Sequence, residues 1–275
     1  MARPHIEWIQ AQALPWQDDA IADRPGAAAK ILSQDAASGA VSCLLRYPPG
    51  HARPAGTLAA DEEIWVLEGG LEIDGQAYRQ HSYAHLPAGM PRSGLSSEGG
   101  AVVLSFFSAA PEPGPEGFDE RRLVRHLSAT DNVWDGDFAA MGLESMAATA
   151  RMRTLRQDPV SGEVTYLTCT MPFRQGARSE RHPVVQEFFL LSGELAGDFG
   201  VMQAGAYCWR PPMIKHAPYG SWTGTVLLFR SQGGPQSTLW EDPDQPFTWT
   251  PVHKPVLPPG LAPLMAQPWP KPERF

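Results

Sequence analysis

Apolar residues in this 275-residue chain fall into short alternating runs, each closed by Gly, Pro or Asp. Val41 to Tyr47, Ile64 to Leu67, Leu71 to Asp74, Ser82 to Leu86 and Ala101 to Phe107 are rich in β-branched and aromatic residues and predict strands. Thr165 to Met171, Phe188 to Leu191, Tyr207 to Arg210 and Thr225 to Arg230 do the same further along. Helical periodicity is weak, and only Ala139 to Arg151 predicts a short helix. Short, evenly spaced strands with turn residues between them point to an all-β barrel or jelly roll.

The pattern occurs twice. The segment from Glu62 to Leu71 aligns without gaps on Gln186 to Leu195, a spacing of 124 residues, and Tyr83, Pro87 and Gly100 then fall on Tyr207, Pro211 and Gly224. Lys30 to Gly39 resembles Arg153 to Gly162. Each of these contains Asp-x-x-Ser-Gly between apolar runs, which predicts a hairpin turn. Upstream, Ile6 to Trp16 resembles Val124 to Trp134. An internal repeat of this length predicts two domains. The Pro- and Gly-rich segment 111–117 reads as the linker, giving domains 1–117 and 118–275.

The copies differ where chemistry is concerned. Gly56, Leu58, Glu62 and Arg92 in the first fall on Glu180, His182, Gln186 and His216 in the second. Residues two apart on a strand face the same side, so Glu180 and His182 point together and Gln186 joins from the next strand. Glu187 then faces away, unless the register slips by one residue. Two His and a Glu with open positions suit a divalent metal, non-haem Fe(II) among others, with Gln186 as a fourth, weaker ligand. Gly and Leu offer no ligand, and Arg repels a cation. Arg92 is instead expected to pair with Glu62, either as a structural salt bridge or as an anchor for an acidic ligand; the structural role is favoured. His51, His81 and His85 match no ligand spacing and read as core or surface residues.

These residues carry a resemblance. Gly205 to His216 is similar to the second cupin motif, G-x5-P-x-G-x2-H, with Met213 in place of the second Gly. The stretch from Glu180 to Gly193 is similar to the first, with Glu180 at the position of the first His and Gln186 at that of the Glu. The chain thus resembles two-domain cupins (bicupins) of the ChrR-like and DUF4437-like type. The resemblance implies two tandem jelly-roll (double-stranded β-helix) barrels with a Pro-rich C-terminal extension. It also implies a metal site at Glu180, His182, Gln186 and His216, degenerate in the first barrel.

Bulk properties narrow the function. A formal charge of −8 argues against nucleic acid as a partner. No run approaches the roughly 18 apolar residues of a membrane span, and the N-terminal residues lack the apolar stretch of a secretory signal, so a cytoplasmic location is expected. Cys43, Cys169 and Cys208 show no C-x-x-C spacing and read as reduced packing residues. Fe, Mn, Zn and Ni all suit the ligand set, with Fe favoured. The expected activity is a metal-dependent dioxygenase acting on a small organic substrate, with no general acid or base identifiable. The alternative is a non-catalytic small-molecule- or metal-binding sensor. A homodimer is expected from the resemblance, with Trp65 and Phe189 as outward-facing candidates for the contact. The Pro-rich tail from Pro243 to Phe275 either packs on a surface or runs free.

Overall fold

The structure, a computed structural model, describes residues 3–130, 150–270 and 274–275. The described residues are almost entirely strand and turn, with short 3-10 turns at Ala11–Ala13, Glu120–Arg122 and Ala262–Met265. The helix expected over Ala139 to Arg151 lies outside the described residues, save that Ala150 and Arg151 open the strand Ala150–Gln157.

Two compact units divide the chain. One comprises Met1–Arg3, Leu14–Asn132 and Phe275; the other comprises Pro4–Ala13 and Val133–Arg274. This differs from a division at residue 117, for a hydrogen-bonding reason. Val124–Ser128 pairs with Ser82–Leu86 inside the first unit, and Ile6–Gln10 pairs with Ala206–Arg210 inside the second. These opening strands are repeat equivalents, as are the strands they join.

Each unit is organised on one long strand, Glu62–Ile73 in the first and Val185–Gly197 in the second. The sequence pattern breaks each at a glycine, but the strand continues through a bulge. Gly69 and Gly193 have φ of +67° and +85°, and the ladder register shifts beside them. A Cβ on Gly69 would lie 2.1 Å from the Gly100 carbonyl oxygen, and one on Gly193 would lie 1.9 Å from that of Gly224. Only glycine fits, and the bulge bends the strand so that its two ends serve different sheets. The first half of Val185–Gly197 pairs with Ala206–Arg210 and Thr225–Gln232; the second half pairs with Gly200–Gln203 and Gly220–Ser221. Glu62–Ile73 divides its partners the same way. The result is a double-sheet jelly roll in each unit.

The Asp-x-x-Ser-Gly segments are hairpin turns. Asp35 accepts from the Ala37 amide, and Asp158 from the Val160 amide, both at 2.9 Å. Each turn joins two paired strands, Ala28–Gln34 with Val41–Tyr47 and Ala150–Gln157 with Val164–Thr170.

The interiors differ. The first unit is filled by a large apolar cluster that includes Cys43, Leu45, Leu58, Ile64, Val66 and Phe107. In the second, a cavity of about 100 Å³ remains, with Tyr166, Phe188, Leu195 and Leu227 among its walls. Trp65 and Phe189 are buried at 1% and 0% exposure, so neither presents an outward face.

The C-terminal tail packs on the second unit. Val256 and Glu7 exchange backbone hydrogen bonds, Met265 is buried, and its sulfur receives the Gln10 amide at 3.4 Å. No helix among the described residues is long and apolar enough to cross a membrane.

Candidate metal centre

Glu180 lies on the short strand Ser179–Arg181, and His216 on the segment after Ala206–Arg210. The two are joined by a reciprocal backbone bridge, Glu180 N to His216 O at 2.9 Å and the reverse at 3.1 Å. Met213 N donates to His182 O at 2.8 Å, which brings His182 to the same place. One ligand atom from each of Glu180, His182 and His216 falls within 4.8 Å of the others.

Hydrogen bonds orient both imidazoles. His182 Nδ1 lies 2.8 Å from the Ser237 carbonyl oxygen, and His216 Nδ1 lies 2.9 Å from that of Ile214. A carbonyl only accepts, so each Nδ1 carries the hydrogen and each Nε2 presents its lone pair. This is the second-sphere arrangement of metal-binding histidines. His216 Nε2 is buried without a hydrogen-bond partner, 3.3 Å from Glu180 Oε1. Two lone pairs do not face one another at that distance unstabilised; a second proton on the imidazole or a cation must stand between them. The donor set of one carboxylate and two imidazoles fits a divalent cation.

Charge is set accordingly. Burial by itself raises the Glu180 carboxyl, but the neighbouring His216, with His182 and Arg210 behind, brings it down to about 2. Burial lowers His182 to about 4, against the opposing pull of Glu180. At neutral pH the site therefore offers an anionic oxygen and a neutral His182.

Gln186 reaches the same site, with its amide engaged on both sides. Its strand pairs in register with Arg210. Arg210 Nη1 donates to its amide oxygen, and its amide nitrogen lies 3.0 Å from His182 Nε2. A guanidinium has donors only, so the amide orientation is fixed: the oxygen a metal would need is engaged by Arg210. Arg210 is held in turn by Glu7, with Nε donating to Oε2 at 2.6 Å and Nη2 to Oε1, and by the Tyr219 hydroxyl at 2.5 Å. Burial raises the Glu7 carboxyl, yet Arg210 and His5 bring it to about 2. Glu187 points to the opposite face, accepting from Tyr207 at 2.6 Å and Gln232 at 2.8 Å. Its repeat equivalent Glu63 accepts from Tyr83 at 2.7 Å.

Arg210, Glu7 and Tyr219 are absent from the motif reading. Arg210 stands beside the motif Pro211, but its contact with Gln186 depends on a strand register that the sequence does not show. Glu7 had no sequence signal, since its strand lies some 200 residues from the one it joins.

In the first unit the same backbone frame carries other side chains. Gly56 and Arg92 form the reciprocal bridge, 2.9 and 3.0 Å, that Glu180 and His216 form in the second. Glu62 is buried and accepts from Arg24 Nη2 at 2.6 Å and from Arg92 Nη1. Asp23 accepts from Arg24 and pairs with Arg53 at 2.6 Å. His51 is buried against Tyr47, and His85 Nδ1 lies 2.7 Å from the Arg122 carbonyl oxygen. Burial pushes the Cys43 and Cys208 thiols up, away from nucleophilic use.

The double-sheet jelly roll is a cupin-like fold. The chain belongs to the family described as domain of unknown function DUF4437, whose profile matches residues 6–237. A candidate dioxygenase from Nostoc punctiforme is similar in structure, with a TM-score of 0.76 at 16% identity over 88% of this chain and 92% of that one. Oxalate decarboxylase from Lactobacillus farciminis, in a formate complex, gives 0.57 at 11% identity over 84% and 87%. Oxalate decarboxylase from Bacillus subtilis, described for its Mn(II) centres, gives 0.53 at 13% over 85% and 78%. At these identities the likeness establishes the fold. No curated protein matches the chain.

Proposed function

We propose that the second unit is a metal-dependent cupin enzyme of the oxygenase type, acting on a small organic molecule. The observation that carries this reading is the buried, unpartnered His216 Nε2 facing the Glu180 carboxylate, with His182 beside them. Glu180, His182 and His216 would hold a divalent metal, iron being favoured by the donor set. Such a metal supplies Lewis acidity at its open positions and, if redox-active, a means of handling O2.

The chain's own residues do the rest. The apolar walls exclude water from the reacting end, and the Ser237 and Ile214 carbonyls keep both imidazoles aimed inward. Arg210 orients the Gln186 amide toward His182. A second reading, a metal-free binding or sensor pocket, is favoured by one contact: the Gln186 amide nitrogen occupies the His182 lone pair that a metal would use.

Elemental analysis of protein purified without added metal separates the two. About one metal per chain, lost in Glu180→Gln and His216→Ala, is expected. Iron or manganese supports oxygenase chemistry, to be followed by substrate-dependent O2 uptake. Absence of metal even after reconstitution would overturn the first reading in favour of the second.

A further inference from the structure

The cavity of the second unit is faced by hydroxyls that the fold itself does not use. Tyr166, Thr168 and Thr170 stand two apart on the strand Val164–Thr170, so all three turn to one side, and all three line the cavity. Thr170 is satisfied, its Oγ1 lying 2.7 Å from that of Thr225. Tyr166 and Thr168 are only 3% and 5% exposed, yet their hydroxyls make no hydrogen bond among the described residues. Neither oxygen is sealed off from the cavity. The Tyr166 ring stacks on Phe229 with centroids 5.2 Å apart and planes at 11°, and Phe229 packs in turn on Phe188 at 5.2 Å, so the phenol is held in one orientation. Burial raises that phenol well above its usual range, and it stays protonated, a donor as well as an acceptor.

The first unit shows that the fold does not require these hydroxyls. Tyr166 lies opposite Phe229 and Thr168 opposite Leu227, as Cys43 lies opposite Ser105 and Leu45 opposite Val103. Cys43 and Leu45 belong to the apolar cluster that fills the first unit. A buried hydroxyl without a partner weakens a fold, and a ligand that completes it recovers the loss.

We propose that Tyr166 and Thr168 together receive the oxygen of a small neutral molecule, a carbonyl or hydroxyl carried on an apolar body of about four or five carbons. This rests on the reading of the cavity as a substrate site, and not on the metal. Benzene fills an apolar cavity of about 150 Å³, so the smaller space of about 100 Å³ suits a body of that size. Phe188, Leu195, Leu227 and Phe229 give the body apolar contact. The two hydroxyls offer hydrogen bonds without charge, and a hydrocarbon of the same outline leaves them unpaired.

The test titrates cyclopentanone and cyclopentane into the full-length protein, followed by protein NMR, before and after chelation and with metal content measured alongside. Tyr166→Phe is expected to weaken the ketone about ten-fold while the hydrocarbon binds as before or more tightly, and Thr168→Val to weaken the ketone a few-fold. Both effects should persist after chelation, so absence of metal counts against the metal reading alone. Without ligand, either variant should melt at the same temperature as the parent or about 1–3 °C higher, because an unpaired buried hydroxyl has been removed. No binding of the ketone, ketone affinity unchanged in both variants, or equal weakening of ketone and hydrocarbon would overturn the proposal. So would a lowered melting temperature in Tyr166→Phe, which would give its hydroxyl a structural partner instead.

Discussion

A carboxylate lies buried at the heart of one unit and a carboxylate with two imidazoles at the matching place in the other. In the first, Glu62 is enclosed by Arg24 and Arg92, and apolar side chains fill the space around them. In the second, Glu180, His182 and His216 converge beside a cavity. The backbone frame is shared: Gly56 bridges Arg92 as Glu180 bridges His216, and Gly89 N reaches Leu58 O as Met213 N reaches His182 O. The difference teaches that this fold fixes where side chains meet and leaves their chemistry to a few substitutions. A guanidinium supplies permanent positive charge and closes the site; an imidazole supplies a lone pair and leaves it open to a cation.

The comparison can be broken most sharply by exchanging metal-site chemistry. His216→Ala should reduce bound metal from about one per chain to background, whereas Arg92→Ala should leave it unchanged. Loss in both, or in neither, would mean that the two units do not divide the work as described.

Next in size is the ion cluster of the first unit. Glu62→Gln leaves Arg24 and Arg92 without their common anion, and removing one member of a buried pair costs about 3–5 kcal/mol. Urea unfolding should show that loss, while Glu194→Gln, at a partly exposed position, should stay within about 0.5 kcal/mol. A loss below about 1 kcal/mol would show that the cluster is not a structural substitute for a metal.

Acid should expose a further difference. His182 is lowered to about 4 in the folded protein from an ordinary 6.5, so the unfolded chain binds the extra proton first. Stability of the metal-free second unit should therefore fall as pH drops from about 6.5 toward 4. Glu7 and Glu180, both lowered from 4.5 to about 2, extend the loss as pH falls from about 4.5 to 2. Their contribution is fully present above 4.5. A pH series of unfolding midpoints for His182→Gln should be flatter between pH 6.5 and 4; an unchanged slope would refute this origin.

The smallest effect concerns a single backbone position. Gly89 and Met213 are repeat equivalents, with φ of +74° and +68°. Left-handed geometry costs a side chain about 1–2 kcal/mol, partly offset by the greater freedom glycine loses on folding. Met213→Gly should therefore stabilise by about 0.5 kcal/mol. Gly89→Ala should destabilise, since its Cβ would lie 2.2 Å from the Gly117 carbonyl oxygen. Thermal melts of the two variants moving in the same direction would contradict the equivalence.

Much of this arrangement was legible in the sequence. Val41–Tyr47, Ser82–Leu86 and Ala101–Phe107 match the expected runs residue for residue, because each is an apolar, β-branched or aromatic run that is buried nearly throughout. The glycine bulges were not legible: a bulge and a turn use the same residue, and only the Gly69–Gly100 contact distinguishes them. At the site, strand alternation distinguishes Gln186 from Glu187, but the hydrogen bond from Arg210 to Gln186 depends on cross-strand register. Glu7 was invisible because the pairing of its strand is purely tertiary. Trp65 and Phe189 misled because large aromatics on an outward strand face look exposed until something covers them.

The placement of Ile6–Gln10 also bears on how the chain acquires its form. This strand is made well before its partner Ala206–Arg210, which follows nearly two hundred residues later. The loop closed by that pairing is long, and its entropy must be met before the contact returns anything. During synthesis the unit Leu14–Asn132 can complete itself while Ile6–Gln10 waits as an unpaired edge. A gene cut at the Pro-rich segment would yield two fragments, each carrying the other's strand. Only a cut that respects the exchange, after residue 13 and near residue 132, leaves either half with its own sheet.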